Sequence, residues 1–464
     1  MIVATTLGAA SLFCAIVRLT EPLAISPWEP AIAMEAMRLN AGLPLYETGH
    51  ATHMYGPLLT VFLAGIFRLT GLNLLAGRVV FSIFSFILAA VLSLIFCRGQ
   101  SRKYWLFAFL LFLGVNLRTN LIFFSAQPDC MAALFGVAAI SIWILRRDSW
   151  LGAAFSITLF LCATLLKQTS AAFALIPAVY TLIWKRKFVD VATSLIPAMS
   201  ILAVLAAIYL IWPRVFFGMV TVPGSININY SRFFLIGLYF IATFPVFLIA
   251  LLSTFRSREP VGEPERWIWA AIVVLVPVSV WTICKSGGGY SSLLFGYLAM
   301  TALFVVKLER FWQWIASRRR SLGFVSASLL ALVVLFSFLI QFDRDLMLLF
   351  ARCGDEKYEA AVNYAQRIPE RLISPQDPTI AYRATGNFGL SLFFELDTHA
   401  VNGNWPDRLP DALSKELDQA KYVIEVRCYV PTPLFERGLI EHGFVRVPVA
   451  ALSNSAYALW AKQI

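Results

Sequence analysis

Long runs of residues without a charge recur along most of the chain, and they constrain its fold more than any other feature. Each run approaches the ~20 residues with which an α-helix crosses the hydrocarbon core of a membrane. The runs are 1–17, 79–97, 130–145, 149–166, 168–184, 191–213, 233–255, 267–284, 286–306 and 321–342. A shorter run at 104–117 is followed by Arg118, which indicates a short or broken helix. We therefore predict about eleven transmembrane helices.

The composition excludes a soluble globular protein, because 59% of the residues are hydrophobic and 14% are charged, with a mean hydropathy of +0.73. The first apolar run has no basic residues before it and no clear cleavage site after it. We therefore expect it to be a retained first helix rather than a signal peptide.

Basic residues fall mainly in alternate loops, which predicts the orientation of the chain in the membrane. One set of loops contains Arg98, Arg102, Lys103, Arg146, Arg147, Lys185, Arg186, Lys187, Arg256, Arg258, Arg266, Lys307, Arg310, Arg318, Arg319 and Arg320. The opposite loops contain only Arg18, Arg38, Arg68, Arg118, Lys167, Arg214, Arg232 and Lys285. We predict that the first set is cytoplasmic in the inner (plasma) membrane, with the N-terminus inside and the segment after residue 341 outside.

The net charge of +11 follows from this membrane topology and does not indicate a nucleic-acid surface. No basic stripe interleaved with aromatic residues occurs in the sequence, so binding of nucleic acid is excluded as an interpretation. The seven cysteines form no CxxC pair, so neither a metal cluster nor a disulfide framework is expected. Pairing of Cys353 with Cys428 stays an open alternative.

The composition changes once, near residue 342, which predicts two domains: a transmembrane domain at 1–341 and an extracytoplasmic domain at 342–464. In the second domain we predict a helix within 344–367, followed by alternating strands and helices. The predicted strands are 379–384, 398–402, 421–426, 444–449 and 456–461, and the other predicted helices are 388–396, 409–420 and 432–442. This alternation predicts a small α/β domain with a mainly parallel sheet. By default it is a structural cap on the outer face.

The outer loop at 21–73 contains four acids, Glu21, Glu29, Glu35 and Glu47, and both histidines of the transmembrane domain, His50 and His53. A helix is predicted at 30–41, with Pro30 in its first turn and Gly42 after its end. The apolar run 57–70 is too short to span, so we predict an interfacial helix there.

Two acids stand where membrane helices meet the outer face, and each has two interpretations. Glu29 precedes Pro30, and Asp129 follows Pro128 at the mouth of the fourth span. Either carboxylate could deprotonate an acceptor hydroxyl if its surroundings raise its pKa. Alternatively, each is a helix N-terminal carboxylate stabilised by the helix dipole.

His50 and His53 are three residues apart and would suit a divalent metal ion if their segment is helical, although the local sequence is typical of a loop. Lys167 and Lys285 are outer-side cations for which phosphate is the natural partner. The glycines Gly287 and Gly288 beside Lys285 could bring backbone amides to an anion. The alternatives are snorkelling for Lys167 and a tight turn for the glycines. Arg214 and Arg232 are ambiguous in the same way.

In their order and membrane placement, these positions resemble the GT-C superfamily of polytopic glycosyltransferases, in particular the branch of aminoarabinose transferases and protein O-mannosyltransferases. The matching elements are Glu29, Gly42-Leu43-Pro44-Leu45-Tyr46, Tyr55-Gly56-Pro57-Leu58, Arg78, Gln127-Pro128-Asp129, Lys167-Gln168 and Lys285 to Gly289. The departures are Trp28 in place of the family's first acid, Gln127 in place of its arginine, and Ser291 and Ser292 where it often has an asparagine.

The resemblance implies an all-α polytopic membrane protein of the GT-C type, with the small C-terminal α/β domain on its outer face. It implies a glycosyltransferase that moves a sugar from a polyprenyl phosphate to a hydroxyl of a glycan, lipid or protein acceptor. Glu29 and Asp129 are the expected catalytic acids. Lys167 and Lys285 are the expected phosphate ligands, with Arg118, Arg214 or Arg232 as substitutes. Tyr55, Gly287 and Gly288 are expected to contact substrate.

No cofactor is firmly implied, and a divalent ion on His50 and His53 stays open. Membrane lipids are expected to contact the helices. Two other classes of function also stay open: a transporter or flippase of lipid-linked sugars, and a non-catalytic scaffold for envelope assembly. The absence of paired half-repeats and of ionisable residues at mid-membrane disfavours transport.

Overall fold

The computed structural model describes residues 2–20, 28–46, 54–119, 122–256, 261–285, 288–316, 320–340, 357–399, 406–427, 433–453 and 455–463. Most of these residues are helical. The α-helices are, in chain order, α1 Ile2–Thr20, α2 Trp28–Asn40, α3 Pro57–Thr70, α4 Leu74–Phe96, α5 Arg102–Gly114, α6 Asp129–Arg146, α7 Trp150–Leu166, α8 Ile176–Tyr180, α9 Phe188–Ser194, α10 Ile196–Ile211, α11 Pro213–Phe216, α12 Val222–Ser225, α13 Tyr230–Ala242, α14 Pro245–Arg256, α15 Glu263–Ile283, α16 Leu294–Ala316, α17 Arg320–Leu339, α18 Tyr358–Ala365, α19 Pro378–Thr385, α20 Leu392–His399, α21 Asp411–Gln419 and α22 Pro433–Glu441.

Short non-α segments and four strands complete the described elements. The 3-10 helices are Val115–Arg118, Ile122–Phe124, Gln168–Leu175, Tyr290–Leu293 and Ala450–Leu452, and π-helical turns occur at Thr181–Lys185 and Phe217–Thr221. The strands are β1 Leu372–Ile373, β2 Tyr422–Val426, β3 Phe444–Val447 and β4 Tyr457–Lys462.

The chain divides into two compact units, each assembled from separate stretches of sequence. The bundle unit comprises Met1–Val17, Val80–Val204 and Asn229–Leu349. The tail unit comprises Arg18–Val79, Leu205–Ile228 and Phe350–Ile464, so the C-terminal segment packs together with the predicted outer loop. The domain boundary at 341/342, which follows composition, stays a prediction.

Among the described residues, five helical stretches are long and apolar enough to cross a membrane: Leu74–Phe96, Asp129–Arg146, Phe188–Ile211, Glu263–Ile283 and Tyr290–Leu308. A sixth is the bent pair Tyr230–Ala242 and Pro245–Thr254, and four shorter apolar helices accompany them at Ile2–Val17, Pro57–Thr70, Trp150–Leu166 and Val325–Leu339. The chain is a multi-pass membrane protein. The count of about eleven spans and the orientation stay predictions.

The run at 168–184, predicted as one span, is not a regular α-helix. It consists of a 3-10 segment, the short helix α8 and a π turn. Pro177 lies in the first turn of α8 and has no N–H to continue a helical ladder. The ring of Phe173 also packs so closely on Gly136 that a Cβ there would lie 2.6 Å from the ring. The close packing and the proline together explain why the segment departs from α geometry.

The apolar run at 233–255 is divided between α13 and α14, which meet at a bend of 79°. Pro245 begins α14 and cannot donate to the preceding turn. Other hydrogen bonds form at the bend: Ile241 O, to which Pro245 has no N–H to donate, accepts from Phe244 N at 3.1 Å, and Val246 N donates to Ser337 Oγ at 3.2 Å. The bend is therefore a hydrogen-bonded feature of the bundle unit.

Within the tail unit, α2 and α3 agree with the helices predicted at 30–41 and 57–70. Gly42 and Gly71 follow these helices with φ of +76° and +68°, conformations that favour glycine. The two helices pack together, and Asn40 Nδ2 donates to Ala64 O at 2.9 Å. This pairing gives α2 a buried face, on which Glu29 and Glu35 lie.

The C-terminal segment forms a four-stranded sheet in the order β1-β2-β4-β3. Only β1 and β2 are parallel, whereas β4 is antiparallel to both β2 and β3. The prediction of a mainly parallel sheet is therefore wrong. The reason is that β3 connects to β4 without an α-helical crossover, so the two strands pair antiparallel.

Two predicted strands of this segment are also wrong in type. Residues 379–384 lie in helix α19, which Asp377 caps and Pro378 begins. Residues 398 and 399 belong to α20, and 400–402 lie outside the described residues. The helices predicted at 388–396, 409–420 and 432–442 correspond to α20, α21 and α22.

The sheet is covered by helices on both faces, since alternate residues of each strand point to opposite sides. Val423 and Trp460 pack with residues of α20, α21 and α22, whereas Ile424 and Leu459 pack with residues of α18 and α19. The connection between β1 and α19 therefore leads to the face of the sheet that α18 and α19 cover.

Candidate functional site

Glu29 forms a buried ion pair with Arg78 in the tail unit. Nε of Arg78 donates to Glu29 Oε1 at 3.0 Å, and Nη2 donates to Oε2 at 2.8 Å. Both side chains are 0% exposed. The parallel two-point contact fixes the plane of the carboxylate, which is the strong arrangement of an arginine and an acid. Glu29 lies in the first turn of α2 and Arg78 in the first turns of α4.

Asp377 is a further buried acid close to this pair. It is 0% exposed, and its helix α19 packs against α2. Burial raises the pKa of Asp377 to about 6; hydrogen bonds from Thr379 and the charge of Arg78 lower it, while the charge of Glu29 raises it. The carboxyl of Asp377 therefore interacts electrostatically with both Glu29 and Arg78. Nothing in the sequence analysis assigned a role to Asp377.

Tyr46 links the predicted family elements around Gly42 and Tyr55. Its φ of +58° is rare for a residue with a side chain, and its hydroxyl donates to Tyr55 O at 2.5 Å. Gly218 approaches so closely that a Cβ there would lie 2.1 Å from Cδ1 of Tyr46. Burial, together with the charge of Glu35, raises the pKa of Tyr46 well above its usual value. This hydrogen bond therefore joins Tyr46 directly to the backbone of Tyr55.

Asp129 pairs with Lys167 in the bundle unit. Oδ1 of Asp129 accepts a short hydrogen bond from Lys167 Nζ, and the two side chains are 2% and 13% exposed. No side-chain cap is formed at the start of α6. Asp129 therefore serves as the partner of a cation, and its Oδ2 accepts no hydrogen bond from the residues that the structure describes. Lys167 lies at the junction of α7 and the 3-10 segment.

Arg118 is fully buried in the bundle unit and contacts polar neighbours that carry no charge. Its Nη2 donates to Thr243 Oγ1 at 2.8 Å and to Tyr297 OH at 2.5 Å, and its guanidinium lies 4.9 Å from the centroid of the Tyr297 ring. Its Nε and Nη1 have no hydrogen-bond partner among the described residues. Arg118 thus retains donors that an anion could accept.

Lys285 lies two residues after the end of α15. Its ammonium lies 4.1 Å from the centroid of the Trp281 ring, and burial lowers its pKa to about 8. The N–H of Gly288 donates to Lys285 O at 2.9 Å, and a Cβ on Gly288 would lie 2.6 Å from Ile283 O. Position 288 therefore requires glycine, and its amide already has a hydrogen-bond partner. The functional assignment of Gly288 stays a prediction.

The other predicted cations differ in position. Arg214 and Arg232 are exposed, in the tail unit and the bundle unit respectively. The charge of Arg232 lowers the pKa of Cys284, which burial raises. Asn229, three residues before Arg232, donates its N–H to Cys284 O at 3.0 Å, so the start of α13 contacts the residue that precedes Lys285.

Several predicted residues lie outside the described part of the chain. They are Gly287, His50 and His53, together with Cys353 and Cys428. Within the described residues, no group of three or more His, Cys, Asp or Glu side chains could hold a metal ion. Metal binding by His50 and His53 stays a prediction.

A further buried ion pair in the bundle unit was missed by the sequence analysis. Nζ of Lys307 lies 2.6 Å from Glu265 Oε2, and both residues line a largely apolar cavity of about 740 Å³. Each lies in a stretch that the basic loops predict to be cytoplasmic. The signal available in the sequence was a glutamate and a lysine at the ends of two consecutive spans.

Comparison with known proteins shows a likeness of fold and none of sequence. No protein-family model matches the chain, and no curated protein sequence matches it. The structure of ArnT from Cupriavidus metallidurans bound to undecaprenyl phosphate is similar, with a TM-score of 0.58 and 13% identity, covering 98% of this chain and 97% of that chain. Its apo form gives a TM-score of 0.55 and 14% identity over the same shares.

A second similar structure is the oligosaccharyltransferase AglB from Archaeoglobus fulgidus in complex with an inhibitory peptide and a dolichol-phosphate. Its TM-score is 0.50 at 11% identity, covering 90% of this chain and 69% of that chain. At these identities the likeness concerns the fold, and the fold extends over nearly the whole chain. The resemblance predicted from the sequence is confirmed at this level. The chain therefore shares the fold of the ArnT and AglB structures.

Proposed function

We propose that this protein is a membrane glycosyltransferase that moves a sugar from a polyprenyl phosphate to an acceptor hydroxyl. The observation that carries the proposal is a fold shared over 98% of the chain with a structure bound to undecaprenyl phosphate. We further propose that the reaction takes place on the outer face of the membrane, with a glycan, lipid or protein as acceptor. The predicted orientation supports this face.

The chemistry requires few parts, because phosphate is a good leaving group. A base must take the proton of the acceptor hydroxyl as its oxygen attacks the anomeric carbon, and cations must stabilise the phosphate as the C–O bond breaks. In the proposed mechanism, Glu29 and Asp129 are the acidic residues, one of them acting as the base. Lys167 and Lys285 are the phosphate ligands, with Arg118, Arg214 and Arg232 as substitutes.

The burial of the charged pairs supports a functional role. Removing two charges from water costs several kcal/mol per ion, so a buried ion pair contributes little net stability compared with apolar residues of the same size. Glu29, Arg78 and Asp129 are each at most 1% exposed. A paired carboxylate still has lone pairs for a hydroxyl, since it offers about four acceptor positions. A role in chemistry therefore explains these buried charged residues better than a role in stability.

A leaflet-resolved assay in proteoliposomes distinguishes the transferase from the transporter and the scaffold. The purified full-length protein is reconstituted with a radiolabelled polyprenyl-phosphate sugar and a water-soluble acceptor glycan. A transferase releases free polyprenyl phosphate and labels the acceptor. Movement of intact lipid-linked sugar between leaflets without cleavage would instead support transport. If neither transfer nor movement occurs, the result supports the scaffold.

The affinity for polyprenyl phosphate is expected to depend on pH through Lys285. Because burial lowers the pKa of Lys285 to about 8, the ammonium is largely present at pH 7 and largely lost at pH 9. The second proton of a phosphate monoester dissociates near pH 6, so the ligand charge is nearly constant above pH 7. The affinity should therefore fall about tenfold between pH 7 and 9.

The matched variant for this measurement is Lys285→Arg, whose guanidinium stays charged throughout the range. Binding of polyprenyl phosphate by this variant should be nearly independent of pH between 7 and 9. An equal pH dependence in the wild type and in Lys285→Arg would show that Lys285 does not contact the phosphate.

A further inference from the structure

The connection between β1 and α19 is a polar segment inside the tail unit. Ser374, Gln376 and Asp377 are each at most 1% exposed, and so is Ser391, which precedes α20. The two stretches are joined by a hydrogen bond from Leu392 N to Pro375 O at 2.8 Å. Four buried polar side chains are therefore gathered where the chain leaves the sheet.

Three of these side chains have a buried polar atom with no partner among the described residues: Oδ2 of Asp377, Nε2 of Gln376 and Oγ of Ser391. Buried polar atoms are almost always hydrogen-bonded in proteins, and leaving one unsatisfied costs ~1–3 kcal/mol. Three such atoms in adjacent stretches indicate a binding function.

In two of these side chains, Gln376 and Asp377, the other polar atom of the same group accepts hydrogen bonds. Oε1 of Gln376 accepts from Val426 N at 2.6 Å. Oδ1 of Asp377 accepts from Thr379 N at 3.0 Å and also from the hydroxyl of Thr379. Gln376 and Asp377 are thus each anchored by one atom and keep the other for a ligand. Rigid anchoring of this kind is typical of residues that orient a substrate.

The surroundings include the candidate base and several aromatic rings. Asp377 interacts electrostatically with Glu29, as described above. Helix α20, which follows Ser391, carries Phe393 and Phe394, whose ring centroids lie 6.4 Å from Trp28 and 6.5 Å from Tyr55. Aromatic faces next to carboxylate, amide and hydroxyl groups suit a molecule with both C–H faces and hydroxyls.

The geometry points to a saccharide subsite in which Asp377, Gln376 and Ser391 hydrogen-bond to sugar hydroxyls beside Glu29. An anion is disfavoured by the Asp377 carboxylate, and a metal cation by the donating amide of Gln376. A neutral polyhydroxylated ring supplies donors to the carboxylate and acceptors to the amide. The sugar belongs either to the lipid-linked donor or to an acceptor glycan. The assignment rests on the proposed function and specifies which residues recognise the sugar of the substrate.

The buried carboxylate of Asp377 lowers the stability of the folded protein when it is ionised. Thermal melting of a variant therefore tests this residue independently of activity. Its pKa is raised to about 6 from 3.8, so the native state binds a proton more readily than the unfolded state, and stability falls as pH rises through about 4 to 6. Asp377→Asn keeps the helix cap, since asparagine caps as well as aspartate. This variant should melt a few degrees higher than wild type at pH 7.5 and equally at pH 4.

Kinetics of Asp377→Asn test the subsite itself, with Asp411→Asn as the matched control. Asp411 is an exposed acid in the first turn of α21, so its variant removes the same charge at a helix start of the same segment. We expect Asp377→Asn to raise the KM of the sugar-bearing substrate at least tenfold, with a smaller change in kcat. Asp411→Asn should match the wild type.

The same experiment distinguishes the two possible sources of the sugar, the lipid-linked donor and the acceptor glycan. If the donor sugar occupies the subsite, the KM of polyprenyl-phosphate sugar rises while the affinity for plain polyprenyl phosphate is unchanged. If an acceptor glycan occupies it, the KM of the acceptor rises and hydrolysis of the donor by water is unchanged. Either pattern supports the subsite.

A binding measurement keeps the test independent of the transferase proposal. Thermal stabilisation of the full-length protein is measured with plain polyprenyl phosphate, with polyprenyl-phosphate sugar and with a free oligosaccharide. The wild type should be stabilised more when the sugar is present, and Asp377→Asn should lose this difference. Behaviour of Asp377→Asn identical to that of Asp411→Asn in kinetics and binding would overturn the inference, even if transfer by the wild type is demonstrated.

Discussion

Replacement of Arg78 with methionine is expected to abolish transfer and to lower the free energy of unfolding by about 3–5 kcal/mol. The reason is that Glu29 would remain as a buried carboxylate without its two-point partner. Breaking a buried pair costs this much because the remaining charge is uncompensated. Thermal melting of the purified protein in detergent and release of polyprenyl phosphate measure the two effects.

The double variant Glu29→Gln with Arg78→Met separates stability from function. It removes both charges, so most of the lost stability should return while transfer remains absent. Arg68→Met is the matched control, because Arg68 is exposed in the last turn of α3. Recovery of transfer in the double variant would show that the pair serves the fold and not the reaction.

Replacement of Asp129 with asparagine is expected to reduce turnover by about 10²–10⁴-fold with little change in melting temperature. A factor of this size is typical for loss of a general base or of a charge that orients one. Lys167 would lose its partner but is 13% exposed, so it can still reach polar surroundings. Asp148→Asn is the control, since Asp148 is 100% exposed.

The pH dependence of kcat/KM distinguishes the roles of the two acids. If Asp129 is the base, the acidic limb of the profile should disappear in Asp129→Asn. If Glu29 is the base, that limb should persist in Asp129→Asn and disappear in Glu29→Gln. Unchanged turnover in Asp129→Asn would remove this residue from the mechanism.

The sequence was sufficient to predict the class of fold, because hydrocarbon imposes a strict rule on the chain. A continuous charge-free run of membrane length satisfies its backbone hydrogen bonds in hydrocarbon by forming an α-helix. The boundaries of three such runs agree with α4, α7 and α10 within a few residues. The rule concerns length and charge alone. It therefore could not predict that 168–184 is irregular, since that irregularity depends on the contact between Phe173 and Gly136.

The strand order of the C-terminal segment was beyond sequence patterns for a related reason. Alternating helices and strands indicated parallel pairing, but the direction of β4 depends on a connection from β3 that contains no α-helix. The helix at 378–385 could have been predicted from the sequence. Asp377 followed by Pro378 is the pattern of a helix N-cap and first turn, and it outweighs a short apolar stretch.

Candidate acids were found from charge placement, whereas their partners were not. Glu29 and Asp129 stand out because acids are scarce near membrane helices. Their partners Arg78 and Lys167 are 49 and 38 positions away in the chain. Arg78 was noted as a family element without a role, and Asp377 was missed because acids are common in the C-terminal segment. Pairing across such separations is a property of the fold.

Release of polyprenyl phosphate from a polyprenyl-phosphate sugar in the presence of an acceptor tests the central claim most directly. The wild type is predicted to release the lipid phosphate and to glycosylate the acceptor, whereas Glu29→Gln and Asp129→Asn, folded by thermal melting, are predicted to do neither at a comparable rate. Full turnover by both variants, or no consumption of any lipid-linked sugar by the wild type, would contradict the account.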